Sequence, residues 1–453
     1  MAVFNPLKPG GKNGLARDER RDPMGVGLAA LSRLAQSEFL DRFGMRKQTE
    51  HLVFTSTRNG LRTVAAASRT FKRVGGSRPG LRVRSAPQTG VFDLTATEDE
   101  QMLVDVVAEF ATEIVRPAAA EANETCEAPI DVLKASVEIG LPILGVPEEL
   151  GGITEERSAV AGVLVAEALS RGDMGLALAC LAPGAVATAI GLWGSEVQQQ
   201  TYLPAFSADS VPAAALALSE RAVLFDVMKP STTATRTGSG YVLNGVKTGV
   251  VRGAEAELFV VGADLAGTPV LFLLESSTPG LSVEADPSMG VRAAGLCTLT
   301  LDDVRVEESA VLGGTDASAY VECVRLSRLG WCALAVGTGQ AVLDYVSDYV
   351  KQRHAFGEPI AHRQSVAFMV ANIAIELQGM RLLTYKAAGR ASAGKDISRE
   401  VALARKQCGD KGMQIGLDGV QLLGGHGFVK EHPVERWYRD LRAISIMEGA
   451  VLV

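Results

Sequence analysis

The feature that most constrains the fold is a change in the spacing of apolar residues, which occurs twice along the 453-residue chain. Residues 93–210 and 313–453 carry apolar side chains three and four positions apart, which is the spacing of amphipathic helices. Between them, residues 211–312 hold short apolar stretches separated by glycine-containing turns, a pattern typical of antiparallel strands. The order predicts an α+β fold with a helical domain, a central β domain and a second helical domain.

Local signals define several elements within this order. Thr97 and Glu100 have the spacing of a capping box, so a helix is expected to begin there. The stretch "STTATRTGSGYVLNG" alternates and turns in the way of a β-hairpin. Two long stretches with wide apolar faces, 328–352 and 365–391, predict a C-terminal four-helix bundle.

One stretch, from Met174 to Ser195, contains no charged residue. It is long enough to suggest a membrane span. Pro183 and Gly184 lie near its middle, however, and proline removes a helical hydrogen bond. The sequence therefore predicts two short buried helices joined by a turn.

Charge is distributed unevenly between the first 92 residues and the rest. Residues 1–92 carry 17 Lys and Arg against 6 Asp and Glu, a net charge of +11, whereas the remainder has a net charge of −18. This N-terminal extension also has a weak helical pattern, formed by Leu28, Leu31, Ala35, Phe39 and Phe43. It suits contact with an anionic membrane surface or an acidic partner, and equally a solvated tail.

Composition narrows the cellular setting. The six cysteines lie far apart and form no C-x-x-C pair, which argues against a disulfide framework and for a reducing cytoplasm. The five histidines lack metal-ligand spacing. Acidic residues at positions 18, 19 and 22 are unlike a mitochondrial transit peptide. We expect a cytoplasmic protein, peripheral at the membrane if its extension binds lipid, with no metal and no nucleic-acid partner.

Three motifs carry a family resemblance. They are "GLPILGVPEELGG", "RHAFGEPIAHRQ" and "QLLGGHGFVKEHPVERWYRDLRAISIMEGA". Together with the order of domains they resemble the acyl-CoA dehydrogenase family over about residues 95–453. The resemblance implies a helical domain, a central β-sandwich or barrel and a helical bundle. It also implies FAD-dependent oxidation of an acyl-CoA thioester to the 2-enoyl-CoA, with electron-transferring flavoprotein as acceptor.

The resemblance assigns the catalytic base to Glu448. Glu448 is the one charge in "ISIMEGAVLV", and apolar surroundings favour the protonated form of a carboxylate, which suits removal of a weakly acidic α-proton. The family also uses the backbone N–H of this glutamate to polarise the thioester carbonyl. Arg328 and Gly449 are expected on the substrate side. Relatives that carry the base elsewhere have it at the position of Ser327, so Glu448 is the candidate here.

The resemblance also implies how FAD is held. A first set matches residues that contact its pyrophosphate and adenosine across a subunit boundary: Arg353, Phe356 and Gln364. A second set matches the loop on the adenosine side: Gln421, Gly424 and Gly425. The hydroxyl of Ser219 is expected near the flavin. A cofactor shared between subunits implies a homodimer or homotetramer.

Two loops depart from the family pattern. "SERAVLFD" stands where the family usually has T-E-P-x-A-G-S-D. In "KTGVVRG", Gly249 replaces the aromatic that covers the flavin, Val251 replaces a hydroxyl and Arg252 replaces asparagine. Three functions remain open: a dehydrogenase with an altered flavin-ring site, a weakly active or non-catalytic subunit paired with a paralogue, and a scaffold that binds a membrane or a partner.

Overall fold

The computed structural model describes residues 96–152, 157–208, 210–222 and 224–453. All of them belong to one compact unit, Gly90–Val453. The basic extension, residues 1–92, and its predicted helix lie outside the described residues.

The N-terminal region is helical, as predicted. Its helices are α1 (Glu98–Phe110), α2 (Arg116–Thr125), α3 (Ile130–Glu138), α4 (Ala159–Ser170), α5 (Met174–Trp193) and α6 (Glu196–Phe206). The capping box at the start of α1 is confirmed, because the Thr97 hydroxyl accepts from the Glu100 N–H at 3.2 Å and the Glu100 carboxylate accepts from the Thr97 N–H at 2.9 Å. A π-helical turn, Ala111–Val115, joins α1 to α2.

The prediction of two short helices between Met174 and Ser195 is wrong. Helix α5 runs unbroken through Pro183, and almost all of its residues are buried. Proline at position 183 cannot donate to the carbonyl of Ala179, four residues earlier. Arg252 supplies a replacement, because its Nη1 lies 3.5 Å from the Ala179 oxygen. Tertiary packing therefore overrides the local breaker signal.

The central region forms one continuous sheet. Its strands are β1 (Ala214–Ala217), β2 (Thr233–Thr237), β3 (Gly240–Val251), β4 (Leu258–Leu265), β5 (Thr268–Glu275), β6 (Leu281–Ala285), β7 (Leu296–Glu307) and β8 (Val311–Leu312). The order is β6-β7-β3-β2-β4-β5-β8, and β1 lies parallel to β4. The predicted hairpin is confirmed, since β2 pairs antiparallel with β3. The sheet encloses its own apolar core around Tyr241, Phe259 and Phe272.

Strand β3 is irregular at the end that approaches the C-terminal region. Its pairing with β7 shifts between Leu243 and Gly245 and again between Lys247 and Val250. Gly249 lies within the second shift and has a φ of 62°, which glycine adopts without steric cost. This bulge turns the end of β3 toward the loop that contains Glu448.

The C-terminal region is helical again. It contains α7 (Ser318–Gln352), α8 (Gln364–Ser392), α9 (Ser398–Leu423) and α10 (Val434–Leu441), with a short hairpin of β9 (His354–Ala355) and β10 (Glu358–Pro359) after α7. Helix α7 is central and packs against α4, α8 and α9. The element type changes between Phe206 and Ala214 and between Leu312 and Ser318. The limits 93–210, 211–312 and 313–453 stay predictions.

Two described helices, α5 and α8, are long and apolar enough to cross a membrane by length and composition alone. Their burial separates them: 89% of the apolar window of α5 is inside the protein, against 17% for α8. Helix α5 is thus a core helix. Helix α8 carries an exposed apolar stripe, defined by Phe368, Ile375 and Leu382, which are 60%, 68% and 54% exposed.

Candidate active site

The loop around Glu448 lies where the β domain meets helices α7 and α9. Gly449 and Ala450 both have positive φ, 76° and 73°. An alanine in this conformation is strained and needs support from its surroundings. Helix α7 provides it, because the Ser327 hydroxyl and the Trp331 indole N–H donate to the Gly449 oxygen at 2.7 Å and 2.8 Å.

The Glu448 carboxylate is 7% exposed and is held by two arginines. Arg328 on α7 donates from Nε to both carboxylate oxygens at 3.0 Å and from Nη2 to Oε1 at 2.7 Å. Arg405 on α9 donates from Nη2 to Oε1 at 3.0 Å. The prediction of apolar surroundings is therefore wrong. The apolar residues are neighbours of Glu448 in sequence, but the partners of its side chain come from two distant helices.

Arg405 is the functional candidate that the sequence analysis missed. Its side chain is 14% exposed, and burial lowers the pKa of the guanidinium while the Glu448 charge partly offsets this. A signal for it exists in the sequence. Position 405 lies four residues after Val401 and three before Cys408, both buried, so helical periodicity places it on the buried face of α9. An arginine at such a position requires a partner.

Ser219 also contacts the Glu448 loop. The backbone N–H of Glu448 donates to the Ser219 hydroxyl at 3.0 Å, and this hydroxyl donates to the backbone carbonyl oxygen of Glu448 at 2.9 Å. The predicted flavin-side hydroxyl and the predicted thioester-polarising N–H therefore bind each other in this structure. A carbonyl oxygen that binds this N–H must displace the Ser219 hydroxyl.

A buried ion pair involves Glu220, the residue after Ser219. Lys247 is fully buried on β3, and its Nζ lies 2.7 Å from Glu220 Oε1. Burial alone would raise the pKa of Glu220, but the Lys247 charge and hydrogen bonds from Ser231 and Thr232 lower it to about 2. Burial lowers the pKa of Lys247 to about 8, against the opposing effect of Glu220. The pair links the residue after Ser219 to the strand that carries Gly249.

Met447 fills the space left by the missing aromatic. A Cβ placed on Gly249 would lie 2.6 Å from the Met447 methyl carbon. Val251 is completely buried, and Arg252 pairs with Glu255 at 2.6 Å. The residues of "KTGVVRG" that depart from the family pattern are thus packed or paired within the protein.

The remaining predicted residues form a second group, away from these contacts. Arg353, Phe356, Gln364, Gln421, Gly424 and Gly425 are all exposed in the single chain. Tyr349, near the end of α7, connects the two segments that carry them. Its backbone carbonyl oxygen accepts from the Arg353 N–H at 2.8 Å, and its side-chain hydroxyl donates to the Leu423 carbonyl oxygen at 3.5 Å.

This second group presents an open surface. A Cβ on Gly424 or Gly425 would meet nothing within 4 Å. Phe356 is 95% exposed and has a φ of 56°. An exposed aromatic in a strained conformation beside an arginine is typical of a binding surface.

The chain matches known proteins along nearly all of its described length. Residues 97–209 match the acyl-CoA dehydrogenase N-terminal domain, 215–304 the middle domain and 318–451 the C-terminal domain. The mitochondrial short-chain specific acyl-CoA dehydrogenase of Rattus norvegicus is 32% identical, covering 78% of this chain and 87% of the relative. An acyl-CoA dehydrogenase of Bacillus subtilis is 31% identical, covering 78% and 95%.

Solved structures agree with these relatives. Butyryl-CoA dehydrogenase from Megasphaera elsdenii has a TM-score of 0.72 at 27% identity, covering 79% of this chain and 96% of that chain. The glutaryl-coenzyme A dehydrogenase–glutaryl-CoA complex has a TM-score of 0.71 at 28% identity, covering 78% and 92%. The same order of helical, β and helical domains is therefore present in enzymes of known structure.

The fold, the loop around Glu448 and the similarity to these relatives together define an FAD-dependent oxidoreductase. The chain belongs to the acyl-CoA dehydrogenase family. The predictions of family, fold class, enzyme class and FAD as cofactor are confirmed, and so is acyl-CoA oxidation as the general activity.

Proposed function

We propose that the chain oxidises a fatty acyl-CoA thioester to the 2-enoyl-CoA with Glu448 as the base. One observation carries this proposal: Glu448 combines a buried carboxylate with a backbone N–H that bonds the Ser219 hydroxyl, where the β domain meets α7. A base and a carbonyl-polarising donor are the two groups that removal of a thioester α-proton requires.

The exposed second group fits the diphosphate and adenosine end of FAD. Arg353 presents a planar guanidinium suited to phosphate oxygens, and the open backbone at Gly424 and Gly425 permits close approach of a ligand. Phe356, Gln364 and Gln421 complete this surface. FAD, when bound, supplies the acceptor for the hydride equivalent that leaves the substrate β-carbon.

Each group near Glu448 then has a defined task. The Glu448 carboxylate takes the α-proton, and its N–H binds the thioester oxygen after Ser219 has released it. Arg328 places a positive charge beside the carboxylate on the substrate side. The Ser327 hydroxyl donates to the Gly449 carbonyl oxygen and so holds the loop against α7. Electrons are proposed to pass to electron-transferring flavoprotein. One similar structure, 30% identical with a TM-score of 0.73, is described with the electron transferring flavoprotein of Acidaminococcus fermentans.

The exposure of the second group favours an assembly. Six predicted FAD contacts lie at the surface of a single chain, and so does the apolar stripe of α8. A second copy would cover both, which gives a homodimer or homotetramer. A paralogue with the same fold is the alternative partner.

Replacement of Glu448 tests the assignment of the base. Glu448→Gln should lower the rate of acyl-CoA-driven flavin bleaching at least about 100-fold, since a positioned general base contributes about that much. Stopped-flow absorbance under anaerobic conditions measures the rate, and Glu431→Gln, at an exposed position, is the matched control. Bleaching by Glu448→Gln at the control rate would exclude Glu448 as the base.

A second candidate function is a weakly active or non-catalytic subunit. Two observations favour it: Met447 packs against Gly249 where the family has an aromatic, and the Glu448 N–H is already bonded to Ser219. The visible spectrum separates the candidates. One flavin per chain supports the dehydrogenase, about one per two chains in a complex with a paralogue supports the subunit, and none supports a scaffold.

The basic extension leads to a proposal on location. Residues 1–92 have a net charge of +11 beside a strongly acidic remainder. This asymmetry supports peripheral attachment to an anionic membrane surface through the extension, and the proposed compartment is the cytoplasm.

A further inference from the structure

The two oxygens of the Glu448 carboxylate have different surroundings. Oε1 accepts three hydrogen bonds: from Arg328 Nε, from Arg328 Nη2 and from Arg405 Nη2. Oε2 accepts one, from Arg328 Nε at 3.0 Å. A carboxylate oxygen offers about two acceptor positions, so Oε1 is saturated while Oε2 keeps free capacity for a proton.

Arg405 increases this difference, because Arg328 already gives Oε1 two hydrogen bonds and Oε2 one. Its Nη2 bridges Glu448 Oε1 and the Met447 oxygen, at 3.0 Å and 2.9 Å, so it fixes the side chain relative to its own backbone. One turn further along α9, Gly409 packs closely against Ser445, because a Cβ added at Gly409 would meet the Ser445 hydroxyl. Its Nη1 is buried without a hydrogen-bond partner in the described part of the chain.

We infer that Arg405 is a positioning residue that pins Oε1 and presents Oε2 of Glu448 as the proton acceptor. The inference rests on the proposed function, in which Glu448 is the base. Arg328 alone would neutralise the carboxylate, so Arg405 is a second cation that leaves the cluster with a net positive charge. Guanidinium groups from two helices therefore hold this one carboxylate in place.

The other groups that face the carboxylate do not supply this effect. Tyr320, on α7, donates its hydroxyl to the Val227 oxygen at 2.6 Å, and burial raises its pKa above the usual range, so it stays neutral. On the side of the β domain, Lys247 is paired with Glu220. The hydrogen bonds that orient the Glu448 carboxylate therefore come from Arg328 and Arg405.

Substitution of Arg405 separates positioning from a merely structural role. Arg405→Gln removes the bridge to Oε1, so kcat should fall about 10-fold while KM for acyl-CoA changes by less than about twofold, since misplacing a catalytic group lowers the rate more than it weakens binding. Arg405→Lys keeps a charge but loses the bridging geometry, so its kcat should fall by about 3-fold. Arg399→Gln, on the same helix but exposed, should leave both constants unchanged.

A second measurement does not need turnover. The infrared band of the Glu448 carboxylate, isolated by subtracting the spectrum of each protein that also carries Glu448→Gln, is recorded at one pH without acyl-CoA. The band should shift in Arg405→Gln, because Oε1 loses a hydrogen bond, and it should shift less in Arg405→Lys. An unchanged band in the variants that fold would overturn the inference. If the wild type never reduces its flavin, the proposed function fails while the infrared comparison still decides the role of Arg405.

Discussion

At the scale of single residues, the buried carboxylates of this enzyme differ in what compensates their charge. Glu448 has two arginines, and Glu220 has Lys247 with several hydroxyl and backbone donors. Asp440, on α10, accepts from the Val291 N–H at 2.6 Å and is 1% exposed. Burial, followed by the nearby Asp173 charge, raises the pKa of Asp440 to about 7.

This raised pKa predicts the direction of a pH effect on stability. The folded chain holds a proton on Asp440 up to about pH 7, whereas the unfolded chain loses it near pH 3.8. The native state therefore binds more protons between these values, and the free energy of unfolding falls as pH rises through this window. One group gives a slope of at most about 1.4 kcal/mol per pH unit.

Asp440→Asn should flatten this slope. Asparagine keeps the acceptor for the Val291 N–H and does not ionise. Urea unfolding at several pH values between 4 and 7 measures the effect, with Asp418→Asn on α9 as a control for an Asp on a helix. A variant that loses stability across the window as steeply as the wild type would assign the slope to other groups.

The same scale shows what the sequence could predict of the site. Motif positions alone identified Glu448, Ser219, Arg328 and Gly449, and the structure brings these four together. The contacts of Arg405 and Lys247 could not be predicted, because each depends on which helix or strand faces the Glu448 loop. The ionic surroundings of Glu448 follow from that packing and not from its apolar sequence neighbours.

At the scale of elements, local signals predicted most helices and strands correctly. The cap at Thr97 and the β2–β3 hairpin depend on residues close in sequence, so their signals are complete there. Helix α5 was mispredicted because the compensation for Pro183 comes from Arg252, which is 69 positions away. The rule that proline ends a helix describes an isolated segment. It is less reliable where the segment is buried and other residues can replace the lost hydrogen bond.

Helix α8 gives a prediction at this scale. Its stripe of Phe368, Ile375 and Leu382 is exposed in the single chain, and we expect a second copy of the chain to cover it. Ile375→Glu would place a charge in the proposed interface, so light scattering should show a smaller assembly, and the flavin content should fall if two copies share the FAD contacts as proposed. Val197→Glu, at an exposed apolar residue of α6, is the control. A wild-type assembly in Ile375→Glu would place the interface elsewhere.

At the scale of the whole molecule, the two parts of the chain carry opposite charge. Residues 93–453 have a net charge of −18 and should be repelled by an anionic bilayer, whereas residues 1–92 should be attracted. The attraction acts within about a Debye length of the surface, roughly 10 Å at 0.1 M salt. The extension, and not residues 93–453, would then make the contact with lipid.

Vesicle flotation tests this attachment. The basic residues between positions 53 and 91, which no acidic residue compensates, are Arg58, Arg62, Arg69, Lys72, Arg73, Arg78, Arg82 and Arg84. Each contributes about 1 kcal/mol near an anionic surface, so the full chain should float with vesicles containing phosphatidylserine at low salt and release as salt rises. A variant with all eight residues changed to serine should stay at the bottom of the gradient. With vesicles of phosphatidylcholine alone, neither the wild type nor the variant should float. If the variant floats as well as the wild type, the charge of the extension does not bind lipid, and its partner should be sought on the acidic surface of a neighbouring subunit.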